Sequence, residues 1–361
     1  MHATPVVDVH SHLYPPFYID LLKGRTEVPY IKEFPPNNEL RLINRTAEMG
    51  KPMTPTLYDV AAKIEFMDKH GIDISVLSLG NPWLDFLPSE TAGDVAKNMN
   101  DQFNFLCMKY PGRLFFFAAL PLSAPAPALL AEINRLKTLS HCRGVVLGTN
   151  GFGPGLDDQN LVPIFTALGE VSLPVFLHPH YGLPQSVYGD CCSYGQVLPV
   201  ALGFPMETTI ALSRLILSGI FEKVPSLQVI AAHAAGTLPF LVGRLESAIF
   251  HFGTKLKGTR QELGLDDKRK TVWDIMRKNI FLDGVVFDKV PLRAAIDVAG
   301  VERLMFGTDH PLFFPPDAGG LWPSMTENMK AARTALEDTE EYRLVMGGNA
   351  VRELNLGQPG S

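Results

Sequence analysis

Val7-Asp8-Val9-His10-Ser11-His12 closes the first of eight short apolar runs, and its reading decides the fold. Alternating β-branched residues make it a strand, and its end carries two imidazoles two residues apart, which share one side of an extended chain. That pair can chelate a metal, although a His-x-His in a polar loop looks the same. The full set of runs is 5–10, 74–79, 114–120, 144–148, 173–178, 227–233, 280–283 and 303–309. Amphipathic segments with helical spacing separate them, at 57–70, 92–110, 125–139, 161–170, 199–221, 239–252, 290–299 and 325–336. Strand–helix alternation implies βαβ units and a parallel sheet, and eight repeats of it predict an α/β fold, a closed (β/α)8 TIM barrel rather than an open sheet.

Working outward from the first run, the other polar strand ends acquire meaning. The fifth run ends Val175-Phe176-Leu177-His178, the sixth Ala231-Ala232-His233 and the eighth Phe306-Gly307-Thr308-Asp309. In a barrel these carboxyl ends ring one cavity. His10, His12, His178 and Asp309 then form a three-imidazole, one-carboxylate set suited to a borderline metal such as zinc, with manganese as the other candidate and a coordination position left open. His233 is either a fifth ligand or an acid or base beside the metal. The exit of the fourth run, Gly144 to Asn150, offers no Lys or Glu to bridge two ions, so one cation is expected. His180 and His310 read as supporting or structural residues. The stretch Asn150 to Gly155 lacks G-x-G-x-x-G spacing and reads as a tight loop, and neither a G-x-S-x-G elbow nor a P-loop occurs.

The chain has 361 residues, 46% hydrophobic and 19% charged, enough for a large core. No Gly/Pro/Ser linker or fixed-period repeat divides it, so residues 1–361 are expected to form one domain. Two insertions stand out. Residues 24–56, proline-rich with arginines after the first strand, are a candidate lid, and residues 254–271 a surface excursion. Residues 340–354 read as a terminal helix and 357–361 as a frayed tail. With 32 basic and 38 acidic residues the formal charge is -6, which argues against a nucleic-acid partner, while leaving room for a small anionic substrate met by one or two arginines. No unbroken run of about 18 apolar residues predicts a membrane span, and no signal segment opens the sequence, so the cytosol is the expected compartment. Four cysteines without a CxxC pair exclude a disulfide scaffold; Cys107 and Cys142 read as buried packing residues, Cys191 and Cys192 as packing or loop residues.

Six pieces carry a resemblance: Asp8-Val-His-Ser-His12, Gly203-Phe-Pro-Met-Glu-Thr-Thr-Ile210, Gly219-Ile-Phe-Glu-Lys-Val-Pro225, Ala232-His-Ala-Ala-Gly236, Pro239-Phe-Leu-Val-Gly-Arg244 and Gly307-Thr-Asp-His-Pro311. In this order they resemble the amidohydrolase superfamily, and within it the decarboxylase branch of aminocarboxymuconate semialdehyde decarboxylase and the fungal isoorotate (uracil-5-carboxylate) decarboxylases. The resemblance implies a metal-dependent, non-oxidative decarboxylase of a small aromatic or heteroaromatic acid. Isoorotate, giving uracil, comes first, aminocarboxymuconate semialdehyde or a hydroxybenzoate next, and metal-dependent hydrolysis of a lactone or cyclic amide is the other enzyme class. It implies one zinc on His10, His12, His178 and Asp309, with Asp309 and His233 handling the proton. Arg41, or its rival Arg45, would meet the substrate carboxylate; Asn81 would read the ring's polar edge and Phe204 stack on it. Arg244 would reach the neighbouring active site of a homodimer. Where the branch has an aromatic pocket residue, this sequence has Leu312 followed by Phe313 and Phe314, so either Phe313 takes that place or the pocket differs.

Overall fold

Short runs of Val, Ile, Leu and Phe that are buried on both faces suit parallel strands, and the computed structural model arranges them so. It describes residues 4–44, 50–151, 153–189, 194–252, 269–315, 317, 319–336 and 339–357. Among the described residues eleven strands form: β1 (Val7–His12), β2 (Tyr30–Phe34), β3 (Glu39–Ile43), β4 (Lys51–Pro52), β5 (Ile74–Ser78), β6 (Leu114–Ala119), β7 (Cys142–Gly148), β8 (Val175–His178), β9 (Val229–Ala231), β10 (Ile280–Asp283) and β11 (Leu304–Met305). Eight of them share one parallel sheet in the order β1-β5-β6-β7-β8-β9-β10-β11. The circle closes where β1 meets the chain beyond β11: Val9 N donates to Phe306 O at 3.0 Å, Asp309 N to His10 O at 2.8 Å and His12 N to His310 O at 2.8 Å. This is the expected (β/α)8 barrel.

The helices fall between the strands as their spacing dictates. Val60–His70 shows the logic: Asp59 caps it by accepting from Ala61 N at 2.8 Å, and Gly71, at φ 67°, ends it in the left-handed conformation that glycine adopts freely. Its inward face is Lys63, Phe66 and Met67, at i, i+3, i+4 spacing. Phe117 and Phe176 stack at 5.2 Å inside the barrel, and Phe116, on the opposite face of β6, stacks at 5.6 Å on Phe103 of the helix Ser89–Met108; all are fully buried. Each stabilises the fold by about 1.5–3 kcal/mol relative to exposure.

Several boundaries differ from the sequence expectation. β1 runs on to His12, two residues past the end of its apolar run. The sixth strand stops at Ala231, because His233, Ala234 and Ala235 turn left-handed at φ 54°, 49° and 63°. The eighth keeps regular pairing only over Leu304–Met305, since the chain leaves the ladder to pair with β1 and reaches Asp309 at φ 57°. The terminal helix is interrupted by a wide turn at Leu344–Gly348, where Gly347 lies so close to Pro5 O that a Cβ would stand 1.8 Å from it. Residues 24–56 contain the antiparallel sheet β2-β3-β4, and its Ile31 and Leu42, with the adjoining Met53, join the main core. Of the 254–271 excursion, residues 254–268 lie outside the described residues, as do Arg45, Cys191 and Cys192; Cys107 and Cys142 are buried free thiols. Among the described residues one helical stretch, Pro199–Ser218, is long and apolar enough to cross a membrane by length and composition. It carries Glu207 and Arg214, and buries Leu212, Leu215 and Ile216 in the core of the barrel domain.

Candidate metal centre and active site

β1 delivers His10 and His12, β8 delivers His178, and the exit from β11 delivers Asp309. Their donor atoms all lie within 4.8 Å of one another, and all four residues are buried. His10 Nε2 is 3.2 Å from His12 Nε2, and each stands 3.3 Å from Asp309 Oδ1. Donors on arms of about 2.0–2.1 Å around a tetrahedral ion are separated by about 3.3 Å. The spacing therefore fits a metal.

Each imidazole has its other nitrogen engaged. His10 Nδ1 meets Asp283 Oδ2 at 2.6 Å, His12 Nδ1 meets Ser78 Oγ at 2.9 Å, and His178 Nδ1 donates to Pro179 O at 2.8 Å. These contacts leave Nε2 as the inward nitrogen of all three rings, which is how outer partners orient metal-binding histidines. His178 Nε2 and Asp309 Oδ1 are buried without a hydrogen-bond partner in the protein. Buried polar atoms of that kind call for a ligand.

The electrostatics agree. Burial pushes the His12 imidazole down to about 4 and His178 well below its usual range, so both are neutral donors. Burial also pulls on His10, but Asp309 and Asp283 outweigh it and hold that ring up at about 10. Burial would raise Asp309, yet the charge of His10, with the His12 and His233 rings close by, keeps it well below the usual carboxylate range. The cluster thus contains an ionised carboxylate and demands one positive centre, which a cation supplies in place of the His10 proton.

His233 completes the group. Its Nε2 is 3.5 Å from Asp309 Oδ2, its Nδ1 has no protein partner, and at 13% side-chain exposure it is the most open member. Three consecutive left-handed residues without glycine are costly, and such strain gathers at functional sites.

The remaining expected residues are more dispersed. Asn81 lies three residues beyond Ser78; Tyr14 Oη donates to its carbonyl at 2.6 Å, and its Oδ1 is buried without a partner. Phe204 opens the helix Phe204–Ser218 and is half-buried. Arg41, on β3 opposite Lys32, pairs with Glu39 at 2.5 Å and lies over the Phe34 ring at 5.3 Å. Arg244 is exposed on the helix Leu238–Phe252. Leu312 and Phe313 are 43% and 39% exposed, with Phe313 packed on Phe287 at 4.7 Å between ring centroids. His180 and His310 are buried.

Sequence reasoning missed the residues that orient the ligands. Asp283 ends the seventh apolar run and Ser78 ends β5, so both carried the same strand-end signal as the histidines. Asp8 joins β1 to the opposite exit, accepting from Thr308 N at 3.0 Å and Thr308 Oγ1 at 2.7 Å. Glu207, noted only as part of a motif, accepts from Thr149 Oγ1 at 2.7 Å, His180 N at 3.1 Å and Gly182 N at 2.6 Å, fixing the loop that follows His178.

Compared with known proteins, residues 7–356 match the family model described as amidohydrolase. The structure superposes on an apo IDCase of Metarhizium anisopliae with a TM-score of 0.92 and 49% identity, covering 98% of this chain and 97% of that one. A dihydroxybenzoic acid decarboxylase from Polaromonas sp. JS666, solved with bound manganese and 2-nitroresorcinol, shares the fold at a TM-score of 0.69 and 20% identity, over 98% and 97% of the two chains. In sequence, the 2-amino-3-carboxymuconate-6-semialdehyde decarboxylase of Dictyostelium discoideum is 27% identical over 300 residues, 83% of this chain and 77% of that protein.

Proposed function

The chain belongs to the amidohydrolase family, as a carbon–carbon lyase of its decarboxylase branch, and we propose that it converts isoorotate to uracil and carbon dioxide with one bound zinc ion. The observation that carries this reading is the 49% identity, over nearly the whole chain, to the Metarhizium IDCase, an isoorotate decarboxylase. Asn81 supports it: a pyrimidine presents ring N–H donors, and Asn81 Oδ1 is a buried acceptor without a partner. The substrate carboxylate falls to Arg41, with Arg45 as rival, while Phe204, Leu312 and Phe313 line the ring's place.

His10, His12, His178 and Asp309 would hold the metal, zinc first on this three-nitrogen, one-oxygen donor set and manganese second. When bound, the ion supplies Lewis acidity toward the substrate's carboxylate and neighbouring carbonyl. The reaction breaks the bond from ring carbon to carboxylate, leaves the electron pair on the ring carbon and needs one proton there. That proton would be delivered by Asp309 or by His233, whose Nε2 faces Asp309 Oδ2 at 3.5 Å. The buried setting keeps water from competing for that proton.

The proposed assembly is a homodimer with Arg244 reaching the neighbouring active site. Exposed Ile210, Phe240, Leu241 and Phe250 on the helices Phe204–Ser218 and Leu238–Phe252 support it, because apolar side chains this exposed on adjacent helices favour a covering partner. We place the enzyme in the cytosol, in keeping with its free buried thiols, with the uracil entering pyrimidine salvage.

Incubating the zinc-loaded protein with isoorotate, while following the ultraviolet change and released carbon dioxide, tests the reading. Uracil formed at a catalytic rate and abolished by chelation is the expected result. No turnover of isoorotate rejects the substrate, and turnover of aminocarboxymuconate semialdehyde or a hydroxybenzoate instead would reassign it; hydrolysis of a lactone or cyclic amide would reject decarboxylation itself.

A further inference from the structure

The helix Val60–His70 turns a lysine into the protein where its pattern calls for an apolar residue. Lys63 has no exposed surface. Its Nζ donates to Ser11 Oγ at 2.6 Å and to His310 O at 3.3 Å, and it also contacts His310 Nδ1. An ammonium has three donors, and three acceptors meet it. Burying a lysine is costly unless its environment answers it in full, so this arrangement is specific rather than incidental.

The identity of those acceptors gives Lys63 its significance. Ser11 lies between His10 and His12, and His310 directly follows Asp309. Ser11 and His310 also form a backbone bridge across the barrel seam, and Ser11 Oγ stands 3.3 Å from His310 O. One side chain therefore grips both metal-binding segments at the point where the two ends of the sheet meet. Phe66, one turn along the same helix, stacks on the His310 ring at 3.7 Å between centroids, and Trp322 meets that ring edge-on at 4.5 Å while also touching Phe66. The helix thus holds His310 by both charge and ring. Burial pulls the lysine's pKa down to about 7, and Asp8 and Asp309 oppose that from the strand side.

We infer that Lys63 is a positioning residue of the metal centre, setting the separation between the His10 and His12 imidazoles and the Asp309 carboxylate by tying Ser11 to His310. The inference rests on reading the four-residue cluster as a metal site. It differs from a role in stability alone. A clasp that only stabilised the barrel would, when cut, lower the melting temperature and leave the affinity of the folded protein for metal as it was.

The experiment strips the full-length protein of metal and compares wild type, Lys63→Met and Ser11→Ala. Zinc affinity is read by competition with a chromophoric chelator, ligand geometry by the visible spectrum of the cobalt-loaded form, and stability by melting of the metal-free form. Lys63→Met is expected to weaken zinc binding by about 10–100-fold and to alter the cobalt spectrum; Ser11→Ala, which leaves the lysine in place, is expected to do both to a smaller degree. Unchanged affinity and spectrum in the variants, with only a lower melting temperature, would overturn the inference. If Lys63→Met does not fold, Ser11→Ala decides by the same two readings. A wild type that takes up neither metal would overturn the metal reading itself, whereas normal uptake by wild type and variants alike overturns only the role of Lys63.

Discussion

A histidine binds metal through one nitrogen, and the other decides whether the first is available. At His10 that second partner is a carboxylate: Asp283 Oδ2 lies 2.6 Å from Nδ1, both residues being fully buried. The same carboxylate also accepts from Val285 N at 3.1 Å through its other oxygen, so it is fixed before the imidazole meets it. An anion on Nδ1 raises the basicity of Nε2 and holds the ring in the inward orientation. Asp283→Asn keeps the size but removes the charge, and is expected to weaken zinc binding by about 10–100-fold while the protein still folds. Chelator competition on the purified variant measures this; an affinity equal to wild type would mean that Asp283 serves only the chain turn after β10. The carboxylate was visible in the sequence as the end of the run 280–283, but it touches the metal through another residue. Strand-end reasoning therefore found the ligands His10, His12, His178 and Asp309 and passed over their support. Lys63 left no signal of its own, because a lysine within an amphipathic helix reads as a solvated one.

The strands and helices were legible because burial on a period of two or 3.6 is written into the residue order. The turns that aim the functional groups were not, since tertiary hydrogen bonds set them. The run 227–233 looks extended to its end, yet the chain turns left-handed at His233. The turn is accommodated by Gly236, at φ 67°, where any Cβ would come within 2.0 Å of Pro205 O. The loop after β8 follows the same rule. Its amides at His180 and Gly182 point at one carboxylate, Glu207, which is held at the start of the helix Phe204–Ser218 and also takes the Thr149 hydroxyl. Burial raises the Glu207 carboxyl, and those four neighbours, with Tyr181 N among them, pull it back. Glu207→Gln replaces one accepting oxygen with an amide NH2 that cannot accept, so at least one of the donors now meeting Glu207 loses its acceptor. A cost of about 1–3 kcal/mol is expected, seen as a lower melting temperature, together with reduced turnover because His178 sits at the head of that loop. Wild-type stability and turnover in Glu207→Gln would show the loop to be held without it.

At the scale of the whole molecule, a barrel that gathers this many buried imidazoles has a stability tied to pH. Burial holds His12 and His180 down at about 4, and His178 and His310 well below their usual range. Each of the four takes up a proton in the unfolded chain near pH 6.5 and resists one in the fold. Between pH 6.5 and 4 the unfolded state therefore binds more protons, and stability falls as pH falls. Asp8 and Asp85 act in the opposite sense: burial raises both to about 6, so their contribution is present in acid and lost as pH rises from 3.8 to 6. His10, held at about 10, adds stability that is complete below pH 6.5 and is lost as pH climbs through 10. Four imidazoles, together with Asp309 held low, against the raised carboxyls of Asp8, Asp85 and Glu207 leave acid destabilising on balance, so the metal-free protein is expected to be most stable near neutrality. A bound cation competes with protons for His10, His12 and His178, so it stabilises the fold by about 4 kcal/mol at a thousandfold excess over its dissociation constant, and that gain shrinks as acid displaces the ion. Melting temperatures of the metal-free and zinc-loaded protein, measured from pH 4 to 10, test both halves. The two curves should stand apart at pH 7 and converge toward pH 4, with the metal-free curve descending on the acid side. A metal-free curve that rises from pH 6.5 to 4 would mean that the buried imidazoles do not govern the acid limit, and curves that stay parallel would mean that the stabilising ion does not sit on the histidines.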